Sequence, residues 1–305
     1  MSTDSIGSRG GDGKSINTTR KSANTPTKVP KKVTAPSLQH VKERGDKITG
    51  LTAFDYPSAL LADQAGIDLV LVGDSLANTA LGYESTLPVT IDEMFVALKA
   101  VRRGVRRALL VADMPFGSYH SDEKTALDTV IRYVKSGAEA VKLEGGKERA
   151  ELIRRIVNNG VPVMGHIGLT PQSVHALGGY RVQGQSERDA DSLLADALRL
   201  EEAGAFAIVL EGIPWTLAET ITCRLSIPTV GIGAGVHCDG QILVFSDLLG
   251  LLPNRPPKFV RQYLNVFEQA LAAIEAYRDD IRAGTFPAEA ESYEPRTAFR
   301  VASNG

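Results

Sequence analysis

The 305-residue chain has only two cysteines, Cys223 and Cys238. That is too few, and they lie too far apart, for a disulfide framework or a thiolate metal site. The expectation is ordinary reduced cysteines in a cytoplasmic protein. No apolar run reaches the length a membrane helix needs, so no membrane partner is expected. Excess charge of one sign is also missing. The formal net charge is −2, which gives no support to a nucleic-acid partner held by bulk electrostatics. Hydrophobic residues make up 43% of the chain, which excludes a disordered or fibrous class. The length suits one large domain or two small ones.

Residues 1–36 are almost free of large apolar side chains and carry seven Lys or Arg against two Asp. Such a segment cannot bury enough surface to offset its ordering entropy, and it contains no signal-peptide type of apolar stretch. It reads as a disordered basic tail.

From there the chain alternates short apolar runs with amphipathic segments. Residues 136–146, SGAEAVKLEGG, show the pattern: a helix-ending glycine, an apolar strand, then charge beside Gly-Gly. Side chains alternate along a strand, so Lys142 and Glu144 share a face and must be paired, solvated or bound to a ligand. The pattern recurs in AGIDLVLVGD (65–74) and AGAFAIVLEG (203–212), which end near Asp74 and Glu211, and ALLVADMP (108–115) delivers Asp113 at the same relative place. Eight predicted strands interleave with helices over about 250 residues, matching a (β/α)8 barrel in which all the strand ends meet at one mouth. A doubly wound open sheet fits less well, because no strand is followed by a dinucleotide-type glycine loop. Helices are expected to start at the caps Asp55, Thr90 (with Glu93) and Ser121. The C-terminal part from Lys258 reads as one continuous helix. The domain expectation is a barrel over 37–293 and a flexible tail over 294–305.

Asp74 and Asp113 fall on neighbouring strands of such a barrel. Two carboxylates at close range need a cation, or one must keep its proton. A hard divalent ion with oxygen ligands, Mg²⁺ more than Zn²⁺, fits, with Glu144 as a third contributor. For any single acid, capping the following helix is the alternative. Lys142 would hold an anionic substrate, or else pair with a barrel acid. His166 could bond a substrate carboxylate. Glu211 stands by itself across the barrel, and a partly desolvated carboxylate there suits proton abstraction. GIGAG (231–235) reads equally as a phosphate loop or as close backbone packing.

The segments LTAFDYPSA (51–59), VGDSLANTALGYESTLPVT (72–90), ADMPFGSY (112–119), VKLEGG (141–146), GHIGLTPQ (165–172), VLEGIP (209–214) and GIGAGVHCDGQILVFSDLLGL (231–251) resemble the 3-methyl-2-oxobutanoate (ketopantoate) hydroxymethyltransferase family. The resemblance runs in order over roughly residues 37–293. It implies a barrel of the phosphoenolpyruvate/pyruvate type that binds Mg²⁺. It also implies transfer of a hydroxymethyl group from 5,10-methylenetetrahydrofolate to 3-methyl-2-oxobutanoate through a Mg²⁺-stabilised enolate, a step of pantothenate biosynthesis. By motif, Asp74 and Asp113 would hold the metal with Glu144 nearby, and Ser75, Lys142 and His166 would bind the oxo acid together with the metal-holding aspartates. Glu211 would be the base. A homo-oligomer, commonly a decamer, is implied as well. Ala77-Asn78 and Ala97 depart from the family's frequent Gly-Met and His. The rival readings are a Mg²⁺-dependent barrel of the phosphoenolpyruvate mutase and isocitrate lyase kind, and a non-catalytic barrel. Against the first, neither cysteine lies near the acid-bearing strands. Against the second, the acid set is intact.

Overall fold

The strands form where apolar runs are bounded by turn residues, and they are β1 Ile48–Thr52, β2 Leu69–Val72, β3 Leu109–Asp113, β4 Ala140–Glu144, β5 Val163–Gly168, β6 Ala207–Glu211, β7 Thr229–Ile232 and β8 Gly240–Leu243. The computed structural model describes residues 31–253 and 255–294. Every strand pairs in parallel with its sequence neighbours, and β8 returns to β1, closing an eight-stranded barrel.

Alternation sorts each strand into two faces. Ile48, Leu69, Leu71, Leu109, Val111, Ala140, Met164, Ala207, Val209, Val230 and Ile242 form one buried cluster that fills the barrel interior. The outward residues, among them Val70, Leu110, Val141, Leu143 and Ile208, pack with the surrounding helices in a second cluster. Each fully buried side chain of this kind contributes roughly 1.5–3 kcal/mol. Exposed ion pairs such as Lys124–Asp128 contribute only about 0–1 kcal/mol. The two cores therefore hold the mouth in place, and the surface charges add little.

Two of the expected caps form as read. Asp55 accepts from the Ser58 N–H at the start of the helix Tyr56–Gln64. Thr90 and Glu93 close a capping box at the start of Ile91–Gly104. The third is corrected by one residue: Asp122 caps the helix Glu123–Lys135 by accepting from the Thr125 N–H, while Ser121 bonds to the Asp122 carboxylate. A carboxylate is the stronger acceptor for an orphan helix N–H.

Both ends of the barrel differ from the sequence reading. Residues 32–36, expected in the tail, belong to the barrel unit. Val33 is buried and donates its N–H to the Arg107 carbonyl, Lys32 pairs with Glu139 at 2.6 Å, and Thr34 caps the helix Ala35–Glu43. The rest of that tail, 1–30, and the C-terminal segment from 295 lie outside the described residues. The C-terminal helix runs only over Val266–Ala283. Before it, the chain is drawn in non-helically, with the Tyr263 N–H on the Leu248 carbonyl and the Phe259 ring against Gly233. Gly233 has φ +64°, and a Cβ there would sit 2.8 Å from that ring, while one at Gly235 would collide with Trp215. GIGAG is therefore built for close packing. Among the described residues no helix is long and apolar enough to cross a membrane.

Candidate active site

The inward positions of β3 to β6 change from apolar to charged at the C-terminal layer. Val111 is followed by Asp113, Ala140 by Lys142 and Glu144, Met164 by His166, and Val209 by Glu211. Strand register aligns them, with Asp113 opposite Lys142, Glu144 opposite His166 and Gly168 opposite Glu211. Gly168, at φ +96°, lets β5 close on the Glu211 carbonyl, where a Cβ would collide. These side chains line a cavity of about 300 Å³ that also takes in Thr52, Asp74, Ser75, Asn78 and Tyr180.

Lys142 Nζ grips both oxygens of Asp113, at 2.8 and 2.7 Å, and lies 3.6 Å from Glu144 Oε1. The Asp74 N–H donates to Asp113 Oδ2 at 3.1 Å, so the two aspartates adjoin as expected. His166 sits between two acids, with Nδ1 3.3 Å from Glu144 Oε1 and Nε2 3.2 Å from Glu211 Oε2. Both are ion-pair distances without hydrogen-bond geometry, leaving both ring nitrogens and Glu144 Oε1 without a hydrogen-bond partner among the described residues. Glu211 was expected to stand apart from the other acids. It is instead joined to them through His166.

Asp74, Asp113, Lys142, Glu144 and His166 are each no more than 4% exposed, so their charges act on one another largely unscreened. Burial, then the nearby Asp113 and Glu144 charges, raise the Asp74 carboxyl well above its ordinary value. Burial also raises Asp113, partly offset by Lys142. Burial alone would raise Glu144 too, but His166 and Lys142 outweigh it and hold that carboxyl low. Burial and Lys142 push the His166 imidazole down, yet Glu144 and Glu211 prevail and lift it to about 9, so the ring is charged at neutral pH. Burial lowers Lys142 but the surrounding carboxylates raise it further, keeping it an ammonium.

Two residues escaped the sequence reading. Gln172, buried after β5, donates its side-chain amide to Asp74 Oδ2 and the Met114 carbonyl, both at 3.0 Å, and its N–H to Glu144 Oε2 at 3.0 Å. Tyr119 donates its hydroxyl to Gln172 Oε1 at 2.7 Å and accepts the Glu144 N–H at 3.2 Å. Both lie in the segments that carry the family resemblance, ADMPFGSY and GHIGLTPQ. Being uncharged, they gave no other signal.

The donor set suits a hard divalent cation. Four carboxylates (Asp74, Asp113, Glu144, Glu211) face two cations (Lys142, His166) around the cavity. The surplus is two negative charges, and burial with the neighbouring Asp113 and Glu144 charges raises the Asp74 carboxyl well above its ordinary value. Glu144 Oε1 is a buried oxygen with no hydrogen-bond donor. Among the described residues no three His, Cys, Asp or Glu side chains converge as a ready-made metal cluster.

The barrel resembles several solved structures. Phosphonopyruvate hydrolase in complex with oxalate and Mg²⁺ superposes with a TM-score of 0.56 at 15% identity, covering 86% of this chain and 92% of that one. The 2,3-dimethylmalate lyase, a phosphoenolpyruvate mutase/isocitrate lyase superfamily member, gives 0.53 at 16%, covering 86% and 92%. The chain is thus a (β/α)8 barrel with a charged layer at its mouth. At these identities the likeness concerns the fold alone.

The sequence relatives are far nearer. The 3-methyl-2-oxobutanoate hydroxymethyltransferases of Moorella thermoacetica and Koribacter versatilis are 55% and 54% identical, each over 86% of this chain and over 98% and 89% of their own lengths. The family model for ketopantoate hydroxymethyltransferase matches residues 32–289. The chain belongs to the ketopantoate hydroxymethyltransferase family.

Proposed function

We propose that this protein transfers a hydroxymethyl group from 5,10-methylenetetrahydrofolate to 3-methyl-2-oxobutanoate, forming 2-dehydropantoate for pantothenate synthesis. One observation carries the reading. Asp74, Asp113, Lys142, Glu144, His166 and Glu211 converge on a single small cavity at the strand ends, in a chain of this family. Asp74 and Asp113 would hold Mg²⁺, with Glu144 contributing nearby. The ion supplies Lewis acidity toward the oxygens of a 2-oxo acid.

The chain's own groups supply the rest. Lys142 and charged His166 set positive charge beside the bound anion, and Ser75 at the cavity rim offers a hydroxyl. Glu211 takes the proton from the tertiary carbon, and His166 Nε2, 3.2 Å from Glu211 Oε2, holds the carboxylate in place beforehand. The resulting carbanion forms a carbon–carbon bond to the methylene of the folate, presented as its opened iminium. Water then enters as the carbon–nitrogen bond breaks, giving the hydroxymethyl product and tetrahydrofolate.

The test follows loss of deuterium from the tertiary carbon of labelled 3-methyl-2-oxobutanoate. Metal-dependent exchange is expected before folate is added, with product appearing only once 5,10-methylenetetrahydrofolate is supplied. No exchange and no product under either condition would return the chain to the other oxo-acid barrels.

The protein also works, in this reading, as an assembly of copies of itself. Leu271, Ile274, Tyr277 and Ile281 share one face of the helix Val266–Ala283, and all are exposed. None of that helix's described residues is buried within the chain. A groove of about 1040 Å³ also stays open beside β1 and β8. Exposed apolar surface of this extent marks an interaction site. Sedimentation velocity is expected to show an oligomer that Ile274→Asp converts to smaller species. Wild-type protein sedimenting at the mass of a single chain would refute this.

A further inference from the structure

Beside the catalytic cavity lies a second pocket, of about 220 Å³, whose lining includes Asn78, Ser246, Asp247, Leu252, Arg255 and Pro257. Asn78 and Pro257 line both spaces, so they form a shared wall. The short helix Phe245–Leu249 that carries Ser246 and Asp247 is fixed to the barrel mouth. Its first N–H donates to the Thr52 hydroxyl at 3.1 Å, and Thr52 itself lines the catalytic cavity.

Two polar groups in this pocket lack partners. Ser246 is 5% exposed, and its Oγ has no hydrogen bond among the described residues. Buried hydroxyls are rarely left so, because an unmade hydrogen bond carries a desolvation penalty. Asp247 is half-buried, and no charged or hydrogen-bonding neighbour among the described residues offsets the burial that raises its carboxyl. An unpaired carboxylate and an unpaired hydroxyl, flanked by leucine and proline surface, complement a flat ring with adjacent N–H donors and a carbonyl edge.

We propose that this pocket holds the pterin ring of a reduced folate, with Asp247 accepting from the ring's 2-amino and N3–H groups. The inference rests on the folate-dependent reading above. It follows from placement as well as chemistry. The one-carbon unit hangs from the pterin end of the molecule, so the ring must lie next to the oxo-acid cavity, and this pocket shares a wall with it. The Ser246 hydroxyl then has the ring carbonyl as its partner. Arg255, exposed and part of the pocket's lining, offers a cation to the anionic glutamate tail. Asn78, one of this chain's departures from the family's usual residues, stands in the wall past which the methylene must reach.

The test uses the full-length, Mg²⁺-loaded protein. Asp247→Asn replaces the acceptor with an amide that opposes the ring's donors. A lost pair of hydrogen bonds to a charged group is expected to raise the KM for 5,10-methylenetetrahydrofolate roughly ten- to hundredfold. Asp247→Glu should recover part of that loss. The KM for 3-methyl-2-oxobutanoate should move less than about twofold, a shift worth well under 1 kcal/mol. 6-Methyltetrahydropterin, the ring alone, should compete with the folate in the wild type and lose that competition in Asp247→Asn. p-Aminobenzoylglutamate, the other end, should inhibit both equally. An unchanged folate KM, or an equal rise in both KM values, would overturn the proposal. Calorimetric binding of 6-methyltetrahydropterin is read apart from turnover. If the wild type turns over without folate, the functional reading fails. If the ring binds wild type and Asp247→Asn alike, only the pocket assignment fails.

Discussion

Glu211→Gln is expected to bind 3-methyl-2-oxobutanoate nearly as the wild type does and to lose proton exchange at its tertiary carbon by roughly 10²- to 10⁴-fold, the range general bases supply. The amide has the shape of the carboxylate but cannot accept the substrate's proton. It also leaves His166 Nε2 facing a neutral group where an anion stood 3.2 Å away. Binding should survive because the proposed metal ligands, Asp74 and Asp113, are held by partners other than Glu211: Gln172 for Asp74 and Lys142 for Asp113. The discriminating variant is Glu144→Gln. Glu144 is the other acid within reach of His166, and it accepts the Gln172 N–H. If Glu144 only orders the site, its amide variant should retain more exchange than Glu211→Gln. Undiminished exchange in Glu211→Gln would remove Glu211 as the base.

The acids of this site were legible because each interrupts an apolar strand at its C-terminal end, where a buried charge needs a reason. That barrel strands bring such ends together followed from counting alternations. The pairings among them were not legible. Whether His166 meets Glu144, Glu211 or both depends on the register of β4, β5 and β6 and on the glycine at 168, and neither is encoded in any one segment. Gln172 and Tyr119 escaped because a neutral polar residue after a strand is usually an ordinary turn residue, and its role shows only once its partners are in place. The misplaced start of the last helix has a similar cause. Phe259, Tyr263 and Phe267 recur at helical spacing, yet Phe259 is claimed by Gly233 and the Tyr263 backbone by Leu248, and tertiary contacts override the local pattern. Val33 docked for the same reason, an apolar residue in a largely polar stretch whose backbone finds a partner on Arg107.

Lys142→Met should have the largest effect on the fold itself. Lys142 is the only ammonium on the cavity wall among the described residues, bound to Asp113 through two short contacts and close to Glu144. Removing one partner of a buried ion pair costs roughly 3–5 kcal/mol, because the remaining charge is left without compensation. Asp113 would then have to take up a proton or draw in a cation. The result depends on metal. If Asp74 and Asp113 are the Mg²⁺ ligands, added Mg²⁺ supplies the missing positive charge and should raise the melting temperature of Lys142→Met by more than it raises that of the wild type, since a ligand stabilises in proportion to its affinity for the folded state. Restored stability should not restore turnover, because the ammonium beside the substrate anion is still missing. Thermal melts of both proteins across a Mg²⁺ titration, with exchange assayed in parallel, make the comparison. Equal Mg²⁺ shifts in the two proteins would mean that the ion does not sit against Asp113, and the metal would have to be sought elsewhere in the mouth.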